Sequence, residues 1–203
     1  MNEKNHQIVA GIDEAGRGCL AGPVVAASVI LPQNYTLPGL RDSKKISPKK
    51  RYLLEAQIKK IAISWAIGLA TPEEIDVLNI LRASLLAMER SFSKLSIKPD
   101  IVYIDGIHAP NLIGAKVLCV KKGDDIIPQI SAASILAKTF RDRLMIKLDK
   151  KYPNYGFKNH KGYATRLHLE RLKTFGPCKI HRKTFKHVKE LFREVAWLIE
   201  KKD

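Results

Sequence analysis

The stretch Ile8-Val9-Ala10-Gly11-Ile12-Asp13-Glu14-Ala15-Gly16-Arg17-Gly18 decides the fold of this chain. It begins as a short apolar run, which is typical of a buried strand, and it ends in two adjacent carboxylates and a glycine-flanked arginine. A solvated turn would explain an isolated Asp-Glu pair. Glycines, however, let a backbone approach a ligand closely and offer free N–H groups to an anion. Acids beside an anion-binding loop indicate a metal ion that bridges the protein to a phosphate group.

Two nucleotide-binding motifs are excluded by the same stretch. The spacing of Gly11 and Gly16 is that of a P-loop, but a P-loop continues with Lys and then Ser or Thr, whereas this chain continues with Arg17 and Gly18. The glycine pattern of a dinucleotide-binding fold is also absent from the sequence. Two carboxylates inside the loop suit Mg²⁺, a hard ion that takes oxygen ligands. We therefore interpret the loop as part of a site for metal-assisted phosphoryl chemistry.

The charge of the chain favours a polyanionic partner. The 203 residues include 36 Lys and Arg against 20 Asp and Glu, which gives a net charge of +16. Residues 151–203 carry more than half of this excess. Nucleic acid is the polyanion that a basic surface of this kind most often binds, although a merely basic protein remains the alternative. Hydrophobic residues make up 45% of the chain, so we expect it to be folded over most of its length.

The cysteine content and the N-terminus predict a soluble cytoplasmic protein. Cys19, Cys119 and Cys178 are odd in number and widely spaced, which indicates neither a disulfide framework nor a zinc site. No apolar run is long enough to span a bilayer, and the N-terminus has no signal-peptide pattern. We expect no membrane partner and a monomeric protein in a reducing compartment.

Hydrophobic periodicity and capping residues predict an α/β fold. Ser47 and Pro48 begin one helix, and Thr71 and Glu74 form a capping box at the start of another, which we expect to break within residues 76–79. The alternation of Ile63, Trp65, Ile67 and Leu69 predicts a strand with these four side chains facing inward. The full set of predicted strands is 8–14, 23–31, 62–70, 101–105 and 115–120, and the predicted helices are 48–60, 71–95, 128–150, 165–175 and 186–202.

Several carboxylates follow strands of this predicted sheet. Asp105 ends a strand and precedes a glycine, as Asp13 does, and neighbouring parallel strands present their carboxyl ends to one crevice. We therefore expect Asp13 and Asp105 to converge. Either Asp124 or Asp125 could add a further carboxylate at a neighbouring edge, although each could be only a turn residue. Asp142 is another candidate, but an ion-paired aspartate is the better interpretation of its position between two arginines.

The last quarter of the chain mixes cations with aromatic side chains. Residues 152–163 are predicted to be a loop in which Tyr155, Phe157 and Tyr163 alternate with Lys158 and Lys161, a composition that suits stacking on the sugars or bases of a nucleic acid. The histidines of this part of the chain lack the spacing of a metal site. Paired lysines at Lys44 and Lys45, beside Ser43, are either solvated or bind a backbone phosphate.

An ordered set of motifs resembles bacterial ribonuclease HII over nearly the whole chain. The motifs are Gly11-Ile12-Asp13-Glu14-Ala15-Gly16-Arg17-Gly18, Asp42-Ser43-Lys44-Lys45, Ile104-Asp105-Gly106, Lys122-Gly123-Asp124, residues 131–138 and His160-Lys161-Gly162-Tyr163. The resemblance implies a ribonuclease H-like fold with a mixed five-stranded sheet in residues 1–150. It also implies a basic C-terminal helical extension, residues 151–203, that contacts the substrate.

The resemblance also implies a role for each site residue. Four carboxylates, Asp13, Glu14, Asp105 and Asp124, would hold two Mg²⁺ or Mn²⁺ ions, which gives Asp124 preference over Asp142. The substrate-binding residues would be Gly16, Arg17 and Gly18 at the ribonucleotide 2′-hydroxyl and its phosphate, Ser43, Lys44 and Lys45 at the backbone phosphate, and Tyr163 on the sugar beside the RNA–DNA junction. The chain departs from the family's pattern at Cys19, where proline is common, and no catalytic assignment depends on that position.

The leading hypothesis is an endonuclease that cleaves the RNA strand of RNA–DNA hybrids and cuts 5′ to single ribonucleotides embedded in duplex DNA. It would use two metal ions and leave 3′-hydroxyl and 5′-phosphate ends. One alternative is a non-catalytic nucleic-acid-binding module that uses the basic C-terminal part. Another is a metal-dependent nuclease of the same fold class that acts on DNA alone, which would not need a 2′-hydroxyl group.

Overall fold

A five-stranded mixed sheet with the strand order β3-β2-β1-β4-β5 is the centre of the fold. The computed structural model describes residues 7–35, 37–40 and 46–191. The strands are β1 (Val9–Ala15), β2 (Val24–Ile30), β3 (Ser64–Ala70), β4 (Ile101–Asp105) and β5 (Lys116–Val120). The helices are α1 (Pro48–Ile61), α2 (Pro72–Ser93), α3 (Gly123–Ile126), α4 (Pro128–Lys151), α5 (Phe157–His160) and α6 (Arg166–Phe175).

Strand direction brings three carboxyl ends to one edge of the sheet. β1 pairs with β2 in the antiparallel sense and with β4 in the parallel sense, and β4 pairs with β5 in the parallel sense. Ile12 lies opposite Ile104, and Asp105 lies opposite Val120. The residues that follow these positions therefore leave the sheet on the same side. The prediction of a mixed five-stranded sheet is confirmed.

Helix α4 packs directly against β1 at Gly11. A Cβ atom at this position would lie 2.2 Å from the carbonyl carbon of Gln129 and 2.3 Å from the amide nitrogen of Ile130. Only glycine therefore allows the strand and the first turn of the helix to approach so closely. Small and aliphatic residues of α4, among them Ala133 and Leu136, join Val29 and Ile58 in the main hydrophobic core.

The helix starts follow the capping signals in the sequence. The Ser47 hydroxyl accepts a hydrogen bond from the Lys50 amide at the start of α1. At the start of α2, the Thr71 amide donates to the Glu74 carboxylate and the Glu74 amide donates to the Thr71 hydroxyl, which is a complete capping box. Asn79 interrupts α2 with a φ of 67°. The predicted break within residues 76–79 is confirmed.

The prediction that Ile63, Trp65, Ile67 and Leu69 face inward is wrong. The buried residues of β3 are the small ones at the even positions, Ser64, Ala66, Gly68 and Ala70, whereas Trp65 is 37% exposed. The physical reason is the approach of α2, because a Cβ atom at Gly68 would lie 2.1 Å from the carbonyl oxygen of Ala87. A face of large side chains could not admit the helix at that distance.

Three short helical segments were not predicted. The sequence indicated turns or loops at α3, at a 3-10 turn over Pro153–Tyr155 and at α5. Each has at most four residues, which is too short for a helical hydrophobic period to show. Lys122 precedes α3 in the left-handed conformation, with a φ of 54°, and so redirects the chain into that helix.

The chain divides into two compact units. The first consists of residues 1–15, 25–69 and 84–140, and the second of residues 16–24, 70–83 and 141–203. Among the described residues, the first unit contains the hydrophobic core around Ile58 and Leu136, and the second contains a cluster around Met145 and Phe157 and another around Leu172 and Val188.

Some of the predicted features lie outside the described residues. Ser43, Lys44 and Lys45 belong to this group, and so does most of the last predicted helix, of which residues 186–191 are described and helical. Within the part of the chain that the structure describes, every helix is too short or too polar to cross a lipid bilayer.

Candidate metal centre and substrate loop

Three aspartates of the first unit form the candidate metal centre. Asp13 lies near the end of β1, Asp105 is the last residue of β4, and Asp124 lies in the first turn of α3, just after β5. One carboxylate oxygen from each lies within 4.8 Å of the others. The predicted convergence of Asp13 and Asp105 is therefore present, and it follows from the parallel pairing of β1 and β4.

Burial makes the charge of Asp13 unfavourable. The pKa of Asp13 is raised well above its ordinary value, chiefly by burial and next by the negative charge of Glu14, with a smaller contribution from Asp105. A hydrogen bond from Ser134 of α4 opposes this effect and lowers the pKa. A nearby cation would favour the ionised form of a carboxylate in such a position.

Backbone contacts hold the other two aspartates in place. The Gly123 amide donates to Asp105 Oδ1 at 2.8 Å, so the start of α3 fixes the side chain at the end of β4. The Ser131 hydroxyl of α4 donates to the backbone carbonyl of Asp124. A Cβ atom at position 123 would lie 2.5 Å from Ile130 Cδ1, so a larger residue there would require the end of the Ile130 side chain to move.

The donor set of this centre fits a hard divalent cation. Three carboxylates supply oxygen atoms alone, which Mg²⁺ and Mn²⁺ prefer, whereas zinc sites are built mainly from nitrogen and sulfur ligands. Among the described residues, these three aspartates form the one group of histidine, cysteine or carboxylate ligands that is close enough for a shared ion.

The remaining candidate carboxylates differ in their surroundings. Glu14 is not in the group of three, although its backbone amide donates to Asp13 Oδ1 at 2.7 Å. Asp125 is exposed and Asp124 is buried, and Asp124 is the one that lies in the group of three, as the resemblance implied. Asp142 is buried in the second unit and is not in the group of three.

The glycine-flanked arginine that follows Asp13 and Glu14 forms a tight loop in the second unit. Gly16 has a φ of 97°, a conformation that disfavours residues with a side chain, and a Cβ atom there would lie 2.0 Å from Arg141 Nε. Gly18 has open space on the side where a Cβ atom would lie. Arg17 and Gly18 are exposed, so the tip of the loop is accessible to a ligand.

Two fully buried arginines hold the backbone of this segment, and sequence reasoning missed both. Arg182 donates to the carbonyl oxygens of Gly16, Arg17 and Gly22, and Arg141 donates to those of Ala21, Pro23 and Lys161. Both lie in basic stretches that the sequence presents as surface. No motif marks them, since a carbonyl partner has no signature in the sequence.

Tyr163 is bound to the same segment through its backbone. It forms an isolated antiparallel bridge with Cys19, and its side chain is 39% exposed. Burial of the hydroxyl and the neighbouring Cys19 thiol raise the pKa of Tyr163, so the phenol stays protonated at neutral pH.

A hydrogen-bonded network of neutral histidines holds the backbone of Tyr163. His168 Nδ1 lies 2.8 Å from the Tyr163 carbonyl oxygen, which can only accept, so Nδ1 carries the proton. His168 Nε2 then accepts from His181 Nε2 at 3.1 Å, and His181 Nδ1 accepts from the Cys178 amide at 2.9 Å. Burial lowers the pKa of both histidines to about 4. These residues are structural members of the second unit.

Comparison with known proteins identifies the family. The family model described as Ribonuclease HII matches residues 10–188. Ribonuclease HII of Neisseria gonorrhoeae is 50% identical over 191 residues, covering 94% of this chain and 98% of the relative. Ribonuclease HII of Neisseria meningitidis is 50% identical over 189 residues, covering 93% and 97%.

Solved structures agree with this assignment. Ribonuclease H2 from Pyrococcus horikoshii is 29% identical with a TM-score of 0.77, covering 93% of this chain and 98% of that one. The RNase HII of Archaeoglobus fulgidus, solved in a complex with PCNA, is 30% identical with a TM-score of 0.71, covering 88% and 95%. The chain therefore belongs to the ribonuclease HII family, the metal-dependent endoribonucleases that act on the RNA strand of RNA–DNA hybrids.

Proposed function

We propose that this protein cleaves the RNA strand of RNA–DNA hybrids and also cuts on the 5′ side of single ribonucleotides embedded in duplex DNA. The products carry 3′-hydroxyl and 5′-phosphate ends. The observation that carries the proposal is the group formed by Asp13, Asp105 and Asp124, whose carboxylate oxygens lie within 4.8 Å of one another. In the chain, Gly16-Arg17-Gly18 follows Asp13 and Glu14 directly, so metal ligands and a substrate-binding loop adjoin in the sequence.

The carboxylates act in this reaction as ligands for divalent cations. Two Mg²⁺ or Mn²⁺ ions, when bound, supply Lewis-acid stabilisation to the attacking and leaving oxygens of an in-line displacement. Asp13, Asp105 and Asp124 hold the ions, and Glu14 is the fourth ligand in the proposal. Ser134 and the Gly123 amide orient two of these carboxylates, so the ligand geometry exists before the substrate arrives. No side chain has to act as a nucleophile.

Selection of a ribonucleotide depends on the loop and on the exposed tyrosine. Gly16, Arg17 and Gly18 bind the 2′-hydroxyl and the adjacent phosphate, with the backbone N–H groups of Arg17 and Gly18 as donors. The Tyr163 ring stacks on the sugar at the RNA–DNA junction. The exposure of Arg17, Gly18 and Tyr163 supports this assignment. Ser43, Lys44 and Lys45 bind the backbone phosphate in the same proposal.

The basic C-terminal part holds the duplex. Residues 151–203 carry more than half of the net charge of +16, and phosphate contacts of Lys and Arg supply affinity without sequence preference. In this proposal residues 1–150 carry out the reaction and residues 151–203 grip the nucleic acid. The protein acts as a cytoplasmic monomer.

A cleavage assay on three matched duplexes tests the proposal. One duplex contains a single ribonucleotide, the second is an RNA–DNA hybrid and the third is DNA alone, and each is incubated with Mg²⁺, with Mn²⁺ or with EDTA. We expect cleavage of the first two with either metal, none in EDTA and none of the DNA duplex. Asp105→Asn serves as the inactive control.

The alternatives give different results in the same assay. A non-catalytic binding module would bind all three duplexes and cleave none with any divalent metal. A nuclease that acts on DNA would cleave the third duplex. Cleavage of the hybrid without cleavage at the single ribonucleotide would contradict the finer part of the proposal alone.

A further inference from the structure

Arg182 makes an unusual set of contacts in the second unit. Its side chain is fully buried, and its guanidinium group donates to three backbone carbonyls: Gly16 at 2.7 Å from Nη2, Arg17 at 2.7 Å from Nη1 and Gly22 at 3.0 Å from Nε. The first two are successive peptide groups at the glycine-flanked arginine. A buried charge is tolerated here because all three nitrogen atoms of the guanidinium group donate hydrogen bonds.

These hydrogen bonds fix the direction of the Arg17 and Gly18 N–H groups through the geometry of the peptide bond. In a trans peptide the C=O of one residue and the N–H of the next are coplanar and point in opposite directions, and this chain has no cis peptide among its described residues. Fixing the Gly16 carbonyl on Arg182 therefore aims the Arg17 N–H away from the guanidinium group. Fixing the Arg17 carbonyl does the same for the Gly18 N–H.

The Arg17 and Gly18 amides lie at the exposed tip of the loop and point away from the buried guanidinium group of Arg182. Arg17 and Gly18 are both exposed, and the space where a Cβ atom of Gly18 would lie is open. We propose that Arg182 is a positioning residue for ribonucleotide recognition, because it aims the Arg17 and Gly18 amides at the 2′-hydroxyl and the neighbouring phosphate. This inference rests on the proposed function and adds to it a residue that contacts no substrate.

Only arginine provides the required geometry. The planar guanidinium group presents its donors in a fixed fork, which can hold two successive carbonyls and a third at once. A lysine in the same place keeps the charge but offers a single nitrogen atom. Arg182→Lys is therefore the informative variant, because it preserves the positive charge and most of the side-chain volume while it releases part of the loop.

The experiment measures binding rather than turnover. The affinities of the wild-type protein for a duplex with one ribonucleotide and for the same duplex made of DNA are compared in Ca²⁺, with cleavage checked to be absent. The ribonucleotide preference is the affinity for the duplex with one ribonucleotide divided by the affinity for the DNA duplex. We expect Arg182→Lys to reduce this ratio roughly tenfold, since it disorders the amides that contact the 2′-hydroxyl, and to leave the affinity for the DNA duplex within about twofold. Arg182→Met, which removes the charge, should abolish the preference.

Arg90→Lys is the matched control. Arg90 also donates to a backbone carbonyl, that of Leu69, and it lies in α2 within the first unit. This variant should lose some thermal stability and keep the full ribonucleotide preference. If Arg182→Met does not fold, Arg182→Lys alone decides, and its melting temperature is measured beside the binding ratio.

The outcomes separate this inference from the function on which it rests. A wild-type protein that cannot cut at a single ribonucleotide defeats the proposed function itself. A wild-type protein that cuts there, with an unchanged preference in a folded Arg182→Lys, overturns the positioning role alone. A loss of affinity that is equal on both duplexes and follows the melting temperature also overturns it, because that result describes a residue that only stabilises the fold.

Discussion

Asp13→Asn should inactivate the protein and at the same time stabilise its metal-free form. The three aspartates of the metal centre have carboxylate oxygens within 4.8 Å of one another, and Asp13 is buried. At an effective dielectric constant of about 20, two unit charges at that separation repel each other by about 3 kcal/mol. Without a cation this repulsion opposes folding. Asparagine removes the charge of Asp13 and keeps its volume.

The expected gain in the free energy of unfolding is about 1–3 kcal/mol in EDTA. This gain is smaller than the sum of the pairwise repulsions, because Asp13 can bind a proton and lose its charge when no metal is present. In a domain of this size each kcal/mol raises the melting temperature by roughly 2–4 °C. The variant should therefore melt a few degrees above the wild type, while its cleavage rate falls on the order of a thousandfold or more.

The pH dependence gives an independent check of the same argument. The pKa of Asp13 is raised in the folded protein, so Asp13 contributes stability below the pKa of the unfolded chain, and that contribution is lost as the pH rises through the folded pKa. The difference in melting temperature between Asp13→Asn and the wild type should therefore be larger at pH 8 than at pH 5 in EDTA. In saturating Mg²⁺ the wild type should melt above Asp13→Asn, because the ion binds the wild-type site more tightly.

Melting curves in EDTA and in Mg²⁺, measured beside cleavage rates, test this prediction. Asp125→Asn is the matched control, because Asp125 is exposed, lies next to Asp124 and is not in the metal group, so its melting temperature should be nearly unchanged. An Asp13→Asn protein that melts below the wild type in EDTA at pH 8 would refute the reasoning, since it would mean that the charge of Asp13 stabilises the fold without a metal.

Three further predictions concern substrate binding and the second unit. Tyr163→Ala should impair cleavage at a single ribonucleotide more than cleavage of a long hybrid, by roughly 1–3 kcal/mol of lost stacking, and equal losses that follow a lower melting temperature would leave Tyr163 as a packing residue. Affinity for duplex, measured by fluorescence anisotropy, should fall steeply between 50 and 200 mM salt, as expected for several phosphate contacts, and a flat response would exclude the basic C-terminal part from binding. His168 and His181 should stay neutral until the pH approaches 4, so the stability that they give to the fold above pH 6.5 is lost as the pH falls toward 4. Proton NMR titration measures both pKa values, and ordinary values near 6.5 would contradict the buried network.

The sequence by itself determined the strands, the longer helices and the convergence of two candidate metal ligands. Capping residues, prolines and hydrophobic periods predicted the helix starts at Ser47 and Thr71 and a break within residues 76–79, which the structure places at Asn79. These signals act over a few residues, so they can be read without the tertiary structure. The convergence of Asp13 and Asp105 was also predictable, because each follows a short apolar run and parallel strands end at a common edge.

The tertiary structure gave the physical reason for one prediction and overturned another. Asp124 and Asp125 have the same chemistry, and the resemblance favoured Asp124. The turn into α3 gives the physical reason, because it buries Asp124 and exposes Asp125. In β3 large residues alternate with small ones, and the sequence analysis predicted that the large ones face inward. The close approach of α2 selects the face with Gly68 and excludes the face with Trp65.

The buried arginines could not have been found from the sequence. Arg141 and Arg182 resemble any other basic residues of a strongly basic chain, and their partners are backbone carbonyls, which every residue possesses. A sequence records side chains, whereas the direction of a carbonyl depends on the path of the backbone. That path exists only once residues 16–24 and the C-terminal part have folded together, which is why tertiary structure alone reveals what holds the Gly16-Arg17-Gly18 loop.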